Sequence, residues 1–410
     1  MAQADNPKKD AAIIICLETL IVIYCSPIML LTQANTLAQS GQLTEALAVY
    51  DQYLALEPNN AAAWNNRGHV LDDLGRKDEA IAHWNQSLCR LLMGDYAQGW
   101  RQYEWRWRAP APAGQLLETP QPTWLGEDSI AGKRLILWPE GGDGDVFQFV
   151  RFASAVQQMG AYVLLAVRPS SLRLFQHNFP QFELLAMTEG AFIPAADAQC
   201  SLMSLPLACG VDSLQKIPQS AAYLSAPPEL QALWHKRLQH SQELRAPSPR
   251  KWIGLVWAGN SITDVNHDRS LRLSQFEALG QLAQEQNIRF VSLQKGAPSQ
   301  QALDLAADAT SQLHLLDLTN DLHDWADTAA LIANLDLVIC CDTGVAHLAA
   351  AMGKPTWILN RHNGCWRWLT DRADSPWYPS VRLFRQPTFG DWASVIEAVN
   401  QALQTQFLNE

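Results

Sequence analysis

The sequence has no excess of positive charge: 30 Lys and Arg stand against 41 Asp and Glu, for a net charge of −11 at pH 7. That balance excludes a general affinity for nucleic acid while leaving room for a local basic pocket. Metal and redox motifs are missing too. The eight cysteines (16, 25, 89, 200, 209, 340, 341 and 365) form no CxxC pair and no zinc-ligand spacing, and the ten histidines form no HExxH or HxxxH cluster. Too few for a disulfide scaffold, most of the cysteines sit in apolar runs where a free thiol packs as a small hydrophobe. A cytoplasmic protein without resident metal or cofactor is expected. No GxSxG occurs, which removes one hydrolase reading, and no Gly-Lys-Ser/Thr, which removes a Walker loop. Charged residues are scarce as well, at 17% against 48% apolar, so a large core is available and wholesale disorder is excluded. At about 150 residues per domain, 410 residues make two or three domains.

One stretch is long and apolar. Residues 11–31, AAIIICLETLIVIYCSPIMLL, approach the roughly 20 residues that cross a bilayer. Glu18 near the middle and Pro27 near the end disfavour that, and no small-residue cleavage site follows. The segment (domain 1–27) reads as a buried helix capping the next element. The alternative is a membrane anchor, which would make the chain membrane-associated.

Residues 28–108 repeat. Leu37 and Leu71, Gly41 and Gly75, Glu45-Ala46 and Glu79-Ala80, and Tyr50 and Trp84 are each 34 apart. A leucine before the glycine, an alanine after it and Pro58 closing the second helix resemble the tetratricopeptide repeat. The glycines turn the chain, and the alanines let helices approach. Gly94 falls only 19 residues after Gly75, so the third repeat lacks about one helix. The module is expected to lean on its neighbours, and the block Trp100, Tyr103, Trp105, Trp107 reads as a seam with the next domain, or as a stacking surface.

Residues 109–124, APAPAGQLLETPQPTW, read as a proline-rich linker. After it strands (134–138, 161–167, 251–259, 288–294, 335–341, 356–360) alternate with helical runs (146–160, 171–179, 274–286, 328–335, 344–353, 392–407). Such alternation predicts parallel sheets covered by helices, in a first lobe at 125–240 and a second at 250–406, with ligands beyond the carboxyl ends of the strands.

The most informative stretch is LVICCDTGVAHLAAAMGKPTWIL (337–359). A buried strand ends at Cys341 and Asp342-Thr343-Gly344 turn into a small-residue helix, whose first amides form an anion site. Thr343 adds a hydroxyl, and His347 lies on the face above that start. Equally, Asp342 caps the helix and His347 packs. In EGGDGDVFQF (140–149) the third glycine of a dinucleotide fingerprint is Phe147, so that reading fails.

DTGVAHLAAAMGKP resembles the nucleotide-sugar turn of the heptosyltransferase-like glycosyltransferases, and the likeness extends through GLVWAGN…RSLRL, FVSLQKG, SPWYPSVRLFRQ and EGGDGDVFQFVRFA, over residues 84–397. The resemblance implies the GT-B fold: an α/β pair of Rossmann-type lobes, here preceded by the all-α repeat module. It assigns Asp342, Thr343, Gly344 and His347 to the donor diphosphate, with Arg269 near the phosphates, Lys295 as a second cation, and Gly259 and Asn260 where backbone approaches the ligand. It also implies an acidic catalytic residue in the loop, Asp145, with Asp143 as the alternative. Relatives read Glu-Gln-Gly-x-Gly-Asp there; here Gly141 replaces the glutamine and Asp143 is an extra acid.

The expected function is metal-independent transfer of a sugar from a nucleoside-diphosphate donor to an acceptor hydroxyl on a glycan or protein, with the repeats holding acceptor or a partner protein. Two alternatives stand beside it: a protein O-glycosyltransferase of the O-GlcNAc-transferase type, and a non-catalytic repeat scaffold with a degenerate transferase region.

Overall fold

The computed structural model describes residues 27–57, 63, 66–67, 70–71, 74, 77–108, 117, 119–190, 192–243, 249–259 and 266–408. Most of the 11–31 segment, most of the 109–118 stretch, and Asn260 therefore lie outside the described residues. Among those described, no helix is long and apolar enough to cross a membrane. The chain divides into two compact units, one drawn from Met1–Ser87 and Arg101–Ala113, the other from Leu88–Trp100 and Gly114–Glu410.

In the first unit the helices Pro27–Gln39 and Leu43–Leu56 pack as a pair. Gly41 joins them at φ +77°. Its N–H and that of Gln42 donate to Ala38 and Leu37 at 3.1 and 2.9 Å, a Schellman ending that only a left-handed residue closes cheaply. Ala46 is fully buried, as a close helix approach requires, and Leu30, Ala34, Leu47, Tyr50, Tyr53 and Trp105 complete the core. The Tyr50 hydroxyl and the Asn66 amide both donate to Asn35 Oδ1.

The short glycine spacing has a plain cause. A single helix, Lys77–Leu92, precedes the turn at Gly94 (φ +79°), and the helix Tyr96–Tyr103 follows it. A Cβ on Gly99 would lie 2.8 Å from Leu91 Cδ2, so this residue lets the two helices touch. Tyr96 and Trp100 are buried. Trp100 meets Phe149, Trp366 and Trp377 edge-on at 5.3–6.3 Å. The aromatic block thus divides: Trp100 packs in the second unit, while Trp105 belongs to the core of the first.

Two all-parallel sheets follow. The first has the order β3-β2-β1-β4, with β1 Arg134–Trp138, β2 Tyr162–Val167, β3 Glu183–Ala186 and β4 Ala198–Ser201. The second has the order β10-β9-β8-β5-β6-β7, from β5 Lys251–Val256, β6 Ile288–Ser292, β7 Leu315–Leu316, β8 Leu337–Cys341, β9 Thr356–Asn360 and β10 Val381–Arg385. Central strands β1 and β8 are leucine-, isoleucine- and valine-rich runs with nearly every side chain buried, as strands covered on both faces must be. This is the GT-B-like pair of lobes. At the supposed end of the linker, Thr123 bridges Gln199 and Trp124 is buried, so this part of the chain already lies against β4.

Candidate functional site

The carboxyl end of β8 opens directly into the helix Gly344–Ala351. Thr343, not Asp342, is its N-cap. Its backbone is extended (φ −144°, ψ 172°), and its hydroxyl donates to Cys341 O at 3.3 Å rather than bonding a helix amide. Among the described residues no capping side chain satisfies the first amides, the condition for anion binding.

Half-buried Asp342 and buried His347 form a pair. His347 Nε2 lies 3.7 Å from Asp342 Oδ1, its Nδ1 lies 2.9 Å from the Tyr378 hydroxyl, and its ring stacks on Trp368 at 5.2 Å. Burial opposes ionisation of Asp342, but His347, the Trp368 indole and Arg367 outweigh it and hold the carboxyl below the usual range. Burial pushes Tyr378 well above its ordinary value, so its hydroxyl stays protonated. At 4% exposure, with both ring nitrogens facing protein groups, His347 is covered by its own lobe and by Gly144 of the first lobe.

Opposite lies the first-lobe loop, Glu140 to Asp145, leading into the helix Asp143–Phe149. Glu140 is buried and accepts a hydrogen bond from Ser201. Gly141 sits at φ +71°, and a Cβ there would fall 2.3 Å from Asp145 Oδ2, so the glycine makes room for that carboxylate. Asp145, in the first helical turn, accepts the Gly142 N–H at 2.8 Å and pairs with Arg367 of the second lobe. Asp143 accepts from Arg168 Nη1 at 2.8 Å and from Trp325 Nε1 at 2.9 Å. The two acids sit in one helical turn, each with its own arginine.

The two helix starts meet at Gly144 and Gly344. A Cβ on Gly144 would come 2.8 Å from His347 Cδ2 and 3.4 Å from Gly344 Cα, and one on Gly344 would come 3.1 Å from Trp325. A valine at Gly344 would therefore disturb the packing of the lobes as well as any ligand. Other contacts cross the cleft. Arg173 grips Asp324 through two nitrogens at 2.5 and 2.8 Å and reaches Asp327 at 2.9 Å. Arg151, buried over Tyr223 and Tyr378, donates to Trp377 O at 2.6 Å.

Of the remaining expected residues, Arg269 donates to Asp342 O at 3.1 Å, and its buried Nε has no partner among the described residues. Gly259 lies three residues beyond the end of β5, with its N–H donating to Ser270 Oγ at 3.2 Å. Lys295 is exposed, and its ammonium donates to Thr319 O and Leu322 O at 2.8 and 3.0 Å, fastening that turn. Sequence reasoning missed Gln294, whose amide fixes Trp257 and Ala258 at the end of the same strand. It also missed Arg168, Trp325, Arg367 and Tyr378. For Arg367 and Tyr378 the signal was the density of Trp and Arg in RHNGCWRWLTDRADSPWYP (361–379).

Comparison with known proteins agrees with this architecture. Residues 31–96 match the tetratricopeptide repeat, and residues 226–360 match glycosyltransferase family 9 (heptosyltransferase). The second match contains Gly259, Arg269, Lys295, Asp342–Gly344 and His347. Protein FlbA of Caulobacter vibrioides is 27% identical over 91% of this chain, and the match spans 66% of that protein, just under two thirds of its length. Among solved structures, the glycosyl transferase family 9 protein from Veillonella parvula superposes with a TM-score of 0.50 at 11% identity, covering 69% of this chain and 99% of its own. The E. coli ADP-heptose heptosyltransferase II gives 0.47 at 14% identity, covering 67% and 99%. The chain thus carries a tetratricopeptide-repeat segment and a glycosyltransferase family 9 segment.

Proposed function

We propose that this protein is a glycosyltransferase that moves a sugar from a nucleoside-diphosphate donor to an acceptor hydroxyl on a glycan or a protein, with its helical repeats holding the acceptor or a partner. The observation that carries the proposal is the start of the Gly344–Ala351 helix: its amides lack a side-chain cap, and the guanidinium of Arg269, with Nε unpartnered among the described residues, lies beside it. A diphosphate there accepts the amides and the guanidinium. Gly259 leaves room for close approach, and Lys295 and His347 act from behind, one holding the neighbouring turn and the other the Asp342 carboxylate. In the reaction the acceptor oxygen bonds to the anomeric carbon as the bond from that carbon to the phosphate oxygen breaks. The electron pair leaves with the diphosphate and the acceptor proton passes to a carboxylate, for which Asp145 is proposed and Asp143 is the alternative. Guanidinium groups and helix amides meet the leaving-group charge.

Calorimetric titration with ADP, GDP and UDP tests this. At least one should bind, and Arg269→Gln should weaken it about tenfold or more, the scale of a lost charged hydrogen bond. No binding by any of the three, or equal binding by the variant, sinks the assignment.

A further inference from the structure

Arg367 of the second lobe reaches across the cleft to the first. It lies in the short turn Trp366–Trp368 that follows β9, 9% exposed, with its guanidinium 4.3 Å over the Trp366 ring and Nη1 donating to Cys365 Sγ at 3.0 Å. Nη2 reaches Asp145 of the opposite lobe. Gly144, the residue before Asp145, packs against Gly344, where a Cβ would come 3.4 Å from Gly344 Cα, so the Arg367–Asp145 pair stands beside the start of the Gly344 helix. The carboxylate that Arg367 grips is otherwise engaged, because the second oxygen of Asp145 accepts the Gly142 N–H. A general base must present a lone pair to the acceptor hydroxyl. Here each oxygen already accepts one hydrogen bond, one from an amide and the other from an arginine whose charge competes with the acceptor proton for that oxygen.

We infer that Arg367 is a donor-operated release for the base: an arriving nucleoside diphosphate draws the guanidinium off Asp145 and leaves one oxygen of that carboxylate open to the acceptor. The inference rests on the reading of the Gly344 helix start as the diphosphate site and of Asp145 as the base. A diphosphate offers more charge than a carboxylate and the bidentate geometry that a planar guanidinium prefers, so the exchange runs toward the ligand. The same motion brings a cation to the phosphate oxygen that takes the electron pair when the sugar leaves, while the acceptor proton goes to the carboxylate the cation has vacated. Donor must then bind before acceptor.

The test is a binding cycle that needs no knowledge of sugar or acceptor. ADP, GDP and UDP are titrated into the parent, Asp145→Asn, Arg367→Gln, the double variant and Arg367→Lys. Asparagine still accepts the Gly142 N–H but has no charge with which to keep the guanidinium. Asp145→Asn should therefore tighten the best-bound diphosphate about tenfold, within the usual range of site–site coupling. Arg367→Gln should weaken it, Arg367→Lys should recover part of that loss by keeping the charge, and the tightening should vanish in the double variant. Equal affinity for parent and Asp145→Asn, or tightening that survives in the double variant, overturns the release and leaves the functional reading intact. Failure of all three diphosphates to bind the parent overturns both.

Discussion

A carboxylate serves as a base only if its lone pair meets the acceptor, and the two acids of the first-lobe loop are held by different neighbours. Asp143 is fixed by Arg168 and the Trp325 indole, Asp145 by Arg367 and the Gly142 amide. Asparagine at 143 keeps an acceptor for the indole, and asparagine at 145 keeps one for the amide, so both variants should fold. With a nucleotide sugar that supports turnover, Asp145→Asn is expected to lower the rate by about 10²–10⁴, the usual contribution of a general base, and Asp143→Asn by less. Initial rates decide this, and the reverse order would move the base to Asp143. Residue identity carried part of this site in the sequence. Asp342-Thr343-Gly344 was legible as a strand-to-helix turn because a tight turn writes itself into adjacent residues. The partners were not legible: Arg367 and Asp145 are 222 residues apart, and Trp325 and Asp143 are 182 apart. His347 shows the opposite limit, since helical spacing put it near the helix start and only packing shows it turned inward to Tyr378 and Trp368.

At the scale of elements, the helix Trp325–Ala333 carries both a cleft residue and a lobe contact at its first turn. Asp324 is its N-cap, accepting the Ala326 and Asp327 amides at 2.8 and 3.1 Å while Arg173 grips the same carboxylate. Burial works against the charge on Asp324, but Arg173 and those amides outweigh it and hold the carboxyl below its ordinary value. A depressed folded value means stability that is fully present above the unfolded value of about 3.9 and lost as pH falls through the folded one. Asp324→Ala should cost about 1 kcal/mol for the cap at pH 7. Losing the ion pair adds about 0–1 kcal/mol, because the Arg173 side chain is 47% exposed. Asp324→Asn should lose mainly the ion pair, since asparagine caps as well as aspartate does. Urea unfolding at pH 7 and in acid checks both magnitudes: the gap between parent and Asp324→Asn should narrow as pH drops below about 4. A parent-like Asp324→Ala would show that the cap contributes nothing. Strands were legible where burial on both faces demands an apolar run, as in RLILW and LVICC. They were illegible where it does not. β4 reads Ala-Gln-Cys-Ser, with Gln199 buried only because it meets Trp138 and Thr123, β7 is two residues long, and edge strand β10 has arginine at its second and last positions.

For the whole molecule, the question is how the lobes together manage charge. Sugar transfer leaves a diphosphate with extra negative charge, which a divalent cation or fixed protein cations can meet. The second lobe supplies Arg269 and the uncapped amides at the start of the Gly344 helix, and Arg367 stands at the cleft. The first lobe supplies acids, but these do not converge as a chelating pair: Asp143 and Asp145 sit two residues apart in one helical turn, which separates them by about 200°, and each is bonded to its own arginine. Among the described residues no group of three His, Cys, Asp or Glu side chains is placed to hold an ion. The cations at this cleft are arginines, and Asp143 and Asp145 are paired with two of them, Arg168 and Arg367. Transfer is accordingly expected to persist in excess EDTA at an unchanged rate, and added salt should slow it more than chelation does, because it screens the arginines from the diphosphate. The comparison is one assay with and without EDTA across a salt series. Loss of turnover on chelation, restored by Mg²⁺ or Mn²⁺, would show that a metal, and not Arg269 with the helix start, takes the leaving-group charge.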